Sequence, residues 1–203
     1  MPSHPSHPSH PSHPSHPSLP TASSAWPTVL VLASGRGERF KASGGSTQKL
    51  QAVLDGQTVL ERTLAAVLAS GLPWYLEQQG LPGMGDSIAA AVTATPNANG
   101  WLVLPADLPL VRSDTLRALA QALSSHSVVV PVFEGQRGHP VGFDASCQAD
   151  LRNLEGNSGA AKVVSARAAI ELIVDDAGIC MDIDTVRDLA EAEAWLQRQA
   201  NCA

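Results

Sequence analysis

From Trp26 onward, short apolar runs alternate with amphipathic stretches. Thr28 to Ala33, Trp101 to Leu104, Ser127 to Phe133 and Ala169 to Val174 are brief, apolar and mostly rich in Val and Leu, a pattern that predicts buried strands. Between them lie helical patterns. Leu60, Leu64, Val67 and Leu68 recur at helical spacing within Val59 to Ala69, and Gly71 is the stop. Asp86 to Thr95 and Ser113 to Leu123 read as further helices, with Ser113 as the expected N-cap of the second. A last helix from Thr185 to about Gln199 places Leu189, Ala192 and Leu196 on one face. Strands that cross over through helices predict an α/β protein with a mostly parallel sheet.

The first strand opens into Leu32-Ala33-Ser34-Gly35-Arg36-Gly37-Glu38-Arg39-Phe40. Glycine lets backbone approach a ligand closely, successive N–H groups can form an anion-binding concavity, and Arg36 and Arg39 can neutralise charge beside it. This is phosphate chemistry. Two familiar phosphate loops do not fit. Phe40 stands where a dinucleotide fingerprint needs its third glycine, and no Gly-Lys-Ser/Thr follows at Walker spacing; the next lysine after Lys41 is Lys49, beyond Gly44 and Gly45.

At 203 residues the chain suits one domain with a substantial core. It has no apolar run of membrane-spanning length and no signal-peptide pattern at its start, so no membrane partner and a cytoplasmic location are expected. A net charge of −6 argues against a nucleic-acid surface, while small anionic ligands remain compatible with local arginines. Cys147, Cys180 and Cys202 are odd in number and widely spaced, which indicates neither a disulfide framework nor a zinc site. Residues 1–26 form a separate region. Pro-Ser-His repeats five times from Pro2, a composition that cannot bury enough surface to fold, so a disordered tail is expected before a domain at 27–203. In polyproline II, His4, His7, His10, His13 and His16 would share one face about 9 Å apart, too far to share one metal ion without bending the chain.

The loop and four later motifs resemble the MobA-like NTP transferases, in particular the branch of molybdenum cofactor cytidylyltransferases. After Leu-Ala-x-Gly-x-Gly-x-Arg come Gly83-Met84-Gly85-Asp86-Ser87-Ile88, Leu104-Pro105-Ala106-Asp107-Leu108-Pro109, Gly138-His139-Pro140-Val141-Gly142-Phe143 and Asp182-Ile183-Asp184-Thr185, in the family's order. Ser34 replaces the family's usual alanine or glycine. The resemblance implies a Rossmann-like three-layer α/β/α nucleotidyltransferase fold and Mg²⁺-dependent transfer of a nucleoside monophosphate from an NTP, CTP favoured. The implied acceptor is a phosphorylated small molecule such as the molybdopterin cofactor, with a molybdoenzyme as downstream partner. Guanylyl transfer, and a nucleotide-binding regulator without turnover, are the competing readings. Relatives place two strands and a helix between the first helix and the Gly-Met motif, where only Leu72 to Pro82 is available here. Trp74 to Gln78 supplies one strand at most, so the sheet is expected to be narrower on the base-binding side.

Asp107 ends an apolar strand, the edge at which open parallel sheets bind ligands, and a carboxylate there suits a hard cation. A turn aspartate would explain it as well. Asp182 and Asp184 fall on one side of an extended segment with Ile183 facing the core, and helix capping by Asp184 or Thr185 is the competing explanation. By resemblance, Asp107 and Asp184, with Asp182 behind them, hold the metal. Arg39 and the backbone N–H groups from Ser34 to Glu38 hold the outer phosphates, Lys49 faces the α-phosphate, and Leu32, Ala33, Ser34, Gly35, Arg36 and Gly37 are the implied nucleotide-binding residues of the loop. Gly85, Asp86 and Ser87 either contact the nucleotide or cap their helix. Gly138, His139 and Pro140 are the implied acceptor-binding residues.

Overall fold

The computed structural model describes residues 25–202; the Pro-Ser-His repeat, and the expectation of disorder for it, lie outside them. The described strands are β1 (Thr28–Leu32), β2 (Val53–Leu54), β3 (Gln57–Thr58), β4 (Trp74–Glu77), β5 (Gly100–Pro105), β6 (Val128–Phe133), β7 (Gln136–Arg137), β8 (Val141–Asp144) and β9 (Ile170–Ile173). The helices are α1 (Glu38–Ala42), α2 (Val59–Ser70), α3 (Met84–Ala94), α4 (Ser113–Ala122), α5 (Gln148–Arg152), α6 (Ala161–Ala166) and α7 (Val186–Cys202).

The central sheet has seven strands in the order β4-β1-β5-β8-β6-β7, with β9 paired to β6. It is mostly parallel. β4, β1, β5, β6 and β9 run one way; β8 enters antiparallel between β5 and β6, and β7 pairs antiparallel with the end of β6. Side chains of β1 alternate between two apolar layers. Val29 and Val31 pack with Leu60, Leu64 and Val67 of α2 and Leu116 and Leu119 of α4. Leu30 faces the other side, among Ile88 and Val92 of α3, Leu151 of α5 and Val163 of α6. A sheet covered on both faces explains why β1 and β5 read as continuous apolar runs, and it confirms the three-layer α/β expectation. A third cluster joins α7 to α1 and the β2–β3 hairpin through Phe40, Leu54, Val59, Ile183 and Ala192, with Leu189 and Leu196 of α7 packed against it.

The observed helices differ from expectation mainly at their starts. α2 begins with a reciprocal capping box between Thr58 and Glu61 and ends on Gly71 at φ 70. Ser113 is not the N-cap of α4. Arg112 holds that position, and its N–H donates to the carboxylate of Asp176, which is buried and also accepts from Thr115 and Gly178. A side chain 64 residues away supplies the cap, so no local pattern could announce it. The narrow side is as expected: β4 is the edge strand beyond β1, and only residues 78–83 connect it to α3.

Candidate active site

β1 and β5 end side by side, and their ends carry the site. Ala106 donates its N–H to Leu32 O at 3.0 Å, which sets Asp107 beside the start of the glycine-rich loop. On the other flank, Ala33 N–H donates to Glu77 O at 2.7 Å and Ser34 Oγ donates to the Glu77 carboxylate. The loop then turns at Gly37, φ 63, a left-handed conformation that favours glycine. A Cβ there would stand 3.1 Å from Lys49 Cβ, so Gly37 also leaves room for the lysine.

Lys49 Nζ lies 2.6 Å from Asp107 Oδ2 and 3.0 Å from Asp184 Oδ1. Arg39 of α1 meets the remaining oxygen, Asp184 Oδ2, at 2.7 Å. Four residues from three parts of the sequence therefore form one charge network, and the extended reading of Asp182 to Asp184 holds because Ile183 is buried between them. Capping does not occupy Asp184. Thr185 accepts from Asp188 N–H while the Asp188 carboxylate accepts from Thr185 N–H and Asp184 N–H, so a Thr185–Asp188 box closes α7 and leaves the Asp184 carboxylate to the site.

Burial works against the charge on Lys49, yet Asp107 and Asp184 outweigh it and raise the ammonium above its usual value. Burial likewise pushes Asp184 up, but contacts with Lys49 and Arg39 hold it below the carboxylate range. Asp182 has no such cation. Burial first, then the charges of Asp184 and Asp107, push it upward. The carboxylates suit a hard divalent cation: Asp107 Oδ1 is buried with no hydrogen-bond partner, an acceptor still open for a ligand. No group of three or more His, Cys, Asp or Glu side chains among the described residues could hold a metal by itself. Asp107 and Asp184 are the carboxylates of the network that could take part in holding such a cation.

A cavity of about 300 Å³ opens beside this network, lined by Leu32, Ser34, Gly35, Arg36, Leu81, Pro82, Gly83, Met84, Ser87, Pro105, Asp107 and Asn157. Six of the residues expected to bind nucleotide therefore line one concavity. Gly85 and Asp86 do not line it. A Cβ on Gly85 would stand 2.9 Å from the backbone of Glu155, and Asp86 accepts Gly156 N–H at 3.2 Å, so both hold the 155–159 loop against α3.

Gly138 and His139 border two further cavities. One, of about 250 Å³, lies between His139, Asp107, Asp182 and Asp184. The other, of about 370 Å³, is walled by Ile88, Val103, Val130, Val141, Phe143, Ala160 and Val164. Met84 borders all three cavities. Burial lowers the His139 imidazole against the opposing influence of Asp107 and a backbone hydrogen bond at Val103, and its Nδ1 is buried without a partner. Pro140 is buried behind it after a cis peptide bond. Sequence reasoning missed Glu77, Asn157 and Asp188. A lone acidic residue inside the apolar stretch Trp74 to Gln78 was the available signal for the first.

The profile of the MobA-like NTP transferase domain matches residues 65–171. Purine catabolism protein PucB of Bacillus subtilis is 32% identical over 67% of this chain and 74% of its own length. Bifunctional protein GlmU of Xylella fastidiosa is 26% identical over 65% of this chain, a match that spans only 32% of that longer protein. Among solved structures, Rv0371c of Mycobacterium tuberculosis H37Rv superposes with a TM-score of 0.71 at 24% identity, over 83% of this chain and 97% of that one. Its complex with manganese gives a TM-score of 0.68 at 23% identity, covering 84% and 99%. The match across more than half of the sequence, with the PucB similarity, shows that the chain belongs to the MobA-like NTP transferase family.

Proposed function

We propose that this protein transfers a nucleoside monophosphate, CMP in preference to the others, from an NTP to a phosphorylated acceptor such as the molybdopterin cofactor, releasing pyrophosphate. The observation that carries the reading is the Asp107–Lys49–Asp184–Arg39 network at the rim of a cavity formed by the glycine-rich loop. Nucleotidyl transfer is an in-line displacement at the α-phosphorus, which positioning and charge neutralisation largely catalyse. The loop amides and Arg36 suit the outer phosphates. Lys49 and Arg39 can turn from their carboxylates to phosphate oxygens, where their charge counters the charge that develops during displacement. Asp107 and Asp184 would hold Mg²⁺, which would supply further neutralisation of phosphate charge. The manganese complex of the mycobacterial structure supports a divalent metal for this fold. Gly138, His139 and Arg137, which border the remaining cavities, would face the acceptor.

A thermal-shift comparison of CTP, GTP, ATP and UTP with Mg²⁺, followed by pyrophosphate release with molybdopterin, tests the reading. A ligand that binds only the native state raises its apparent stability, so the largest shift is expected with CTP. Binding without pyrophosphate release would favour a regulator over an enzyme, and a larger shift with GTP would move the donor to guanylyl.

A further inference from the structure

Glu77 is fully buried, yet no ion pair reaches it among the described residues. A carboxylate without a counter-cation is costly to bury unless hydrogen bonds satisfy it. Its two oxygens are satisfied by two different loops: Oε2 accepts from Ser34 Oγ, and Oε1 accepts from Gln79 N–H at 2.7 Å. Its backbone joins the same arrangement, since Glu77 pairs with Leu32 in the sheet and its carbonyl accepts Ala33 N–H. Residues 33–37 after β1 and 78–83 after β4 are the two segments so joined, and both line the nucleotide cavity, the first with Ser34, Gly35 and Arg36 and the second with Leu81, Pro82 and Gly83.

We infer that Glu77 is a positioning residue that braces the phosphate loop against the 78–83 segment lining the same nucleotide cavity, with Ser34 as the donor this brace requires. The inference rests on the nucleotide reading of that cavity. Two features of the chain meet here. Ser34 reaches across 43 residues of sequence to Glu77, and β4 is an edge strand of the described sheet with a short connection to α3. No described strand lies beyond β4, and on that flank the loop is tied to Glu77 by both its carboxylate and its backbone carbonyl.

The test combines hydrogen exchange of the free protein with calorimetric binding of MgCTP and of Mg²⁺ with inorganic tripolyphosphate. Ser34→Ala and Glu77→Leu should speed amide exchange in 33–37 and 78–83 while leaving β5 and β6 unchanged, and Glu77→Gln should restore part of the protection. Affinity for both probes should fall about tenfold in Ser34→Ala, the scale of a lost hydrogen bond to a charged group. The double variant Ser34→Ala with Glu77→Leu removes the buried carboxylate together with the Ser34 donor and so should recover part of the stability relative to Ser34→Ala, with Gln79 N–H left to find another acceptor. Affinity should not recover with it, which separates positioning from a purely structural role. Unchanged exchange in the single variants, or affinity that returns with stability in the double variant, overturns the inference. A wild-type chain that binds neither probe would sink the nucleotide reading instead, and exchange would still decide the brace.

Discussion

The mixed cavity beside the glycine-rich loop and the more apolar cavity beside His139 share Met84 as a boundary but differ in what surrounds them. The first is lined by a loop that turns on glycine and neighbours a network of four charged side chains. The second is walled mainly by aliphatic and aromatic side chains from α3, α6 and three strands. Charge that must be held near water needs partners, so the polar side advertises itself as paired residues. An apolar wall needs only shape, and shape is shared with any hydrophobic core.

The largest expected difference concerns the network itself. Asp107→Asn keeps the shape but removes the charge opposite Lys49 and a candidate metal oxygen; pyrophosphate release should fall by about 10³, within the range for losing preorganised electrostatic stabilisation. Lys49→Met should cost about 10² in the same assay. The two variants part in metal binding. Lys49 Nζ sits between Asp107 and Asp184, so its removal should raise the affinity of the free protein for Mn²⁺, read by electron paramagnetic resonance, whereas Asp107→Asn should lower it. Equal falls in both measurements would show that the lysine does not compete for the carboxylates.

This contrast also explains what was legible beforehand. β1, α2, β5 and α7 follow from apolar periodicity, whereas Arg39, Lys49, Asp107 and Asp184 are reached only through the resemblance of the motifs around them. β8 was not legible as a central strand. Val141 to Asp144 is short and carries Gly142, where a Cβ would meet Leu123 and Leu102 at 3.1 to 3.2 Å, so the small residue that makes it look like a loop is what lets it fit between β5 and β6. Nor could sequence separation reveal that Asp176 caps α4 or that Glu77 reaches Ser34. Long-range hydrogen bonds leave no periodic trace.

A smaller effect is expected where the network meets α7. Asp188→Ala removes the acceptor for Thr185 N–H and Asp184 N–H, and the loss of such a cap should cost about 1 kcal/mol in urea unfolding. If Asp188 also steadies Asp184, turnover should drop a few-fold beyond what lost folded protein explains, whereas cavity shape beside His139 should be untouched. A stability loss with unchanged turnover per folded molecule would confine Asp188 to the helix.

The gentlest test titrates the apolar side. Burial lowers the His139 imidazole below its usual 6.5, so the unfolded chain binds that proton more readily than the folded one. The contribution of this group to stability is therefore fully present above 6.5 and declines as pH falls through that value towards the folded pKa. Urea midpoints of the wild type and His139→Gln, compared from just above 6.5 downwards, should show a steeper loss in the wild type. Lys49, raised rather than lowered, adds no slope in this window, because its stabilising charge is complete below its usual 10.5 and is lost only as pH climbs through the higher folded value. Parallel curves for wild type and His139→Gln would mean that the imidazole stays solvated in the folded chain, and the contrast between a charged cavity and an apolar one would fail at a residue that borders both the apolar cavity and the one beside Asp107.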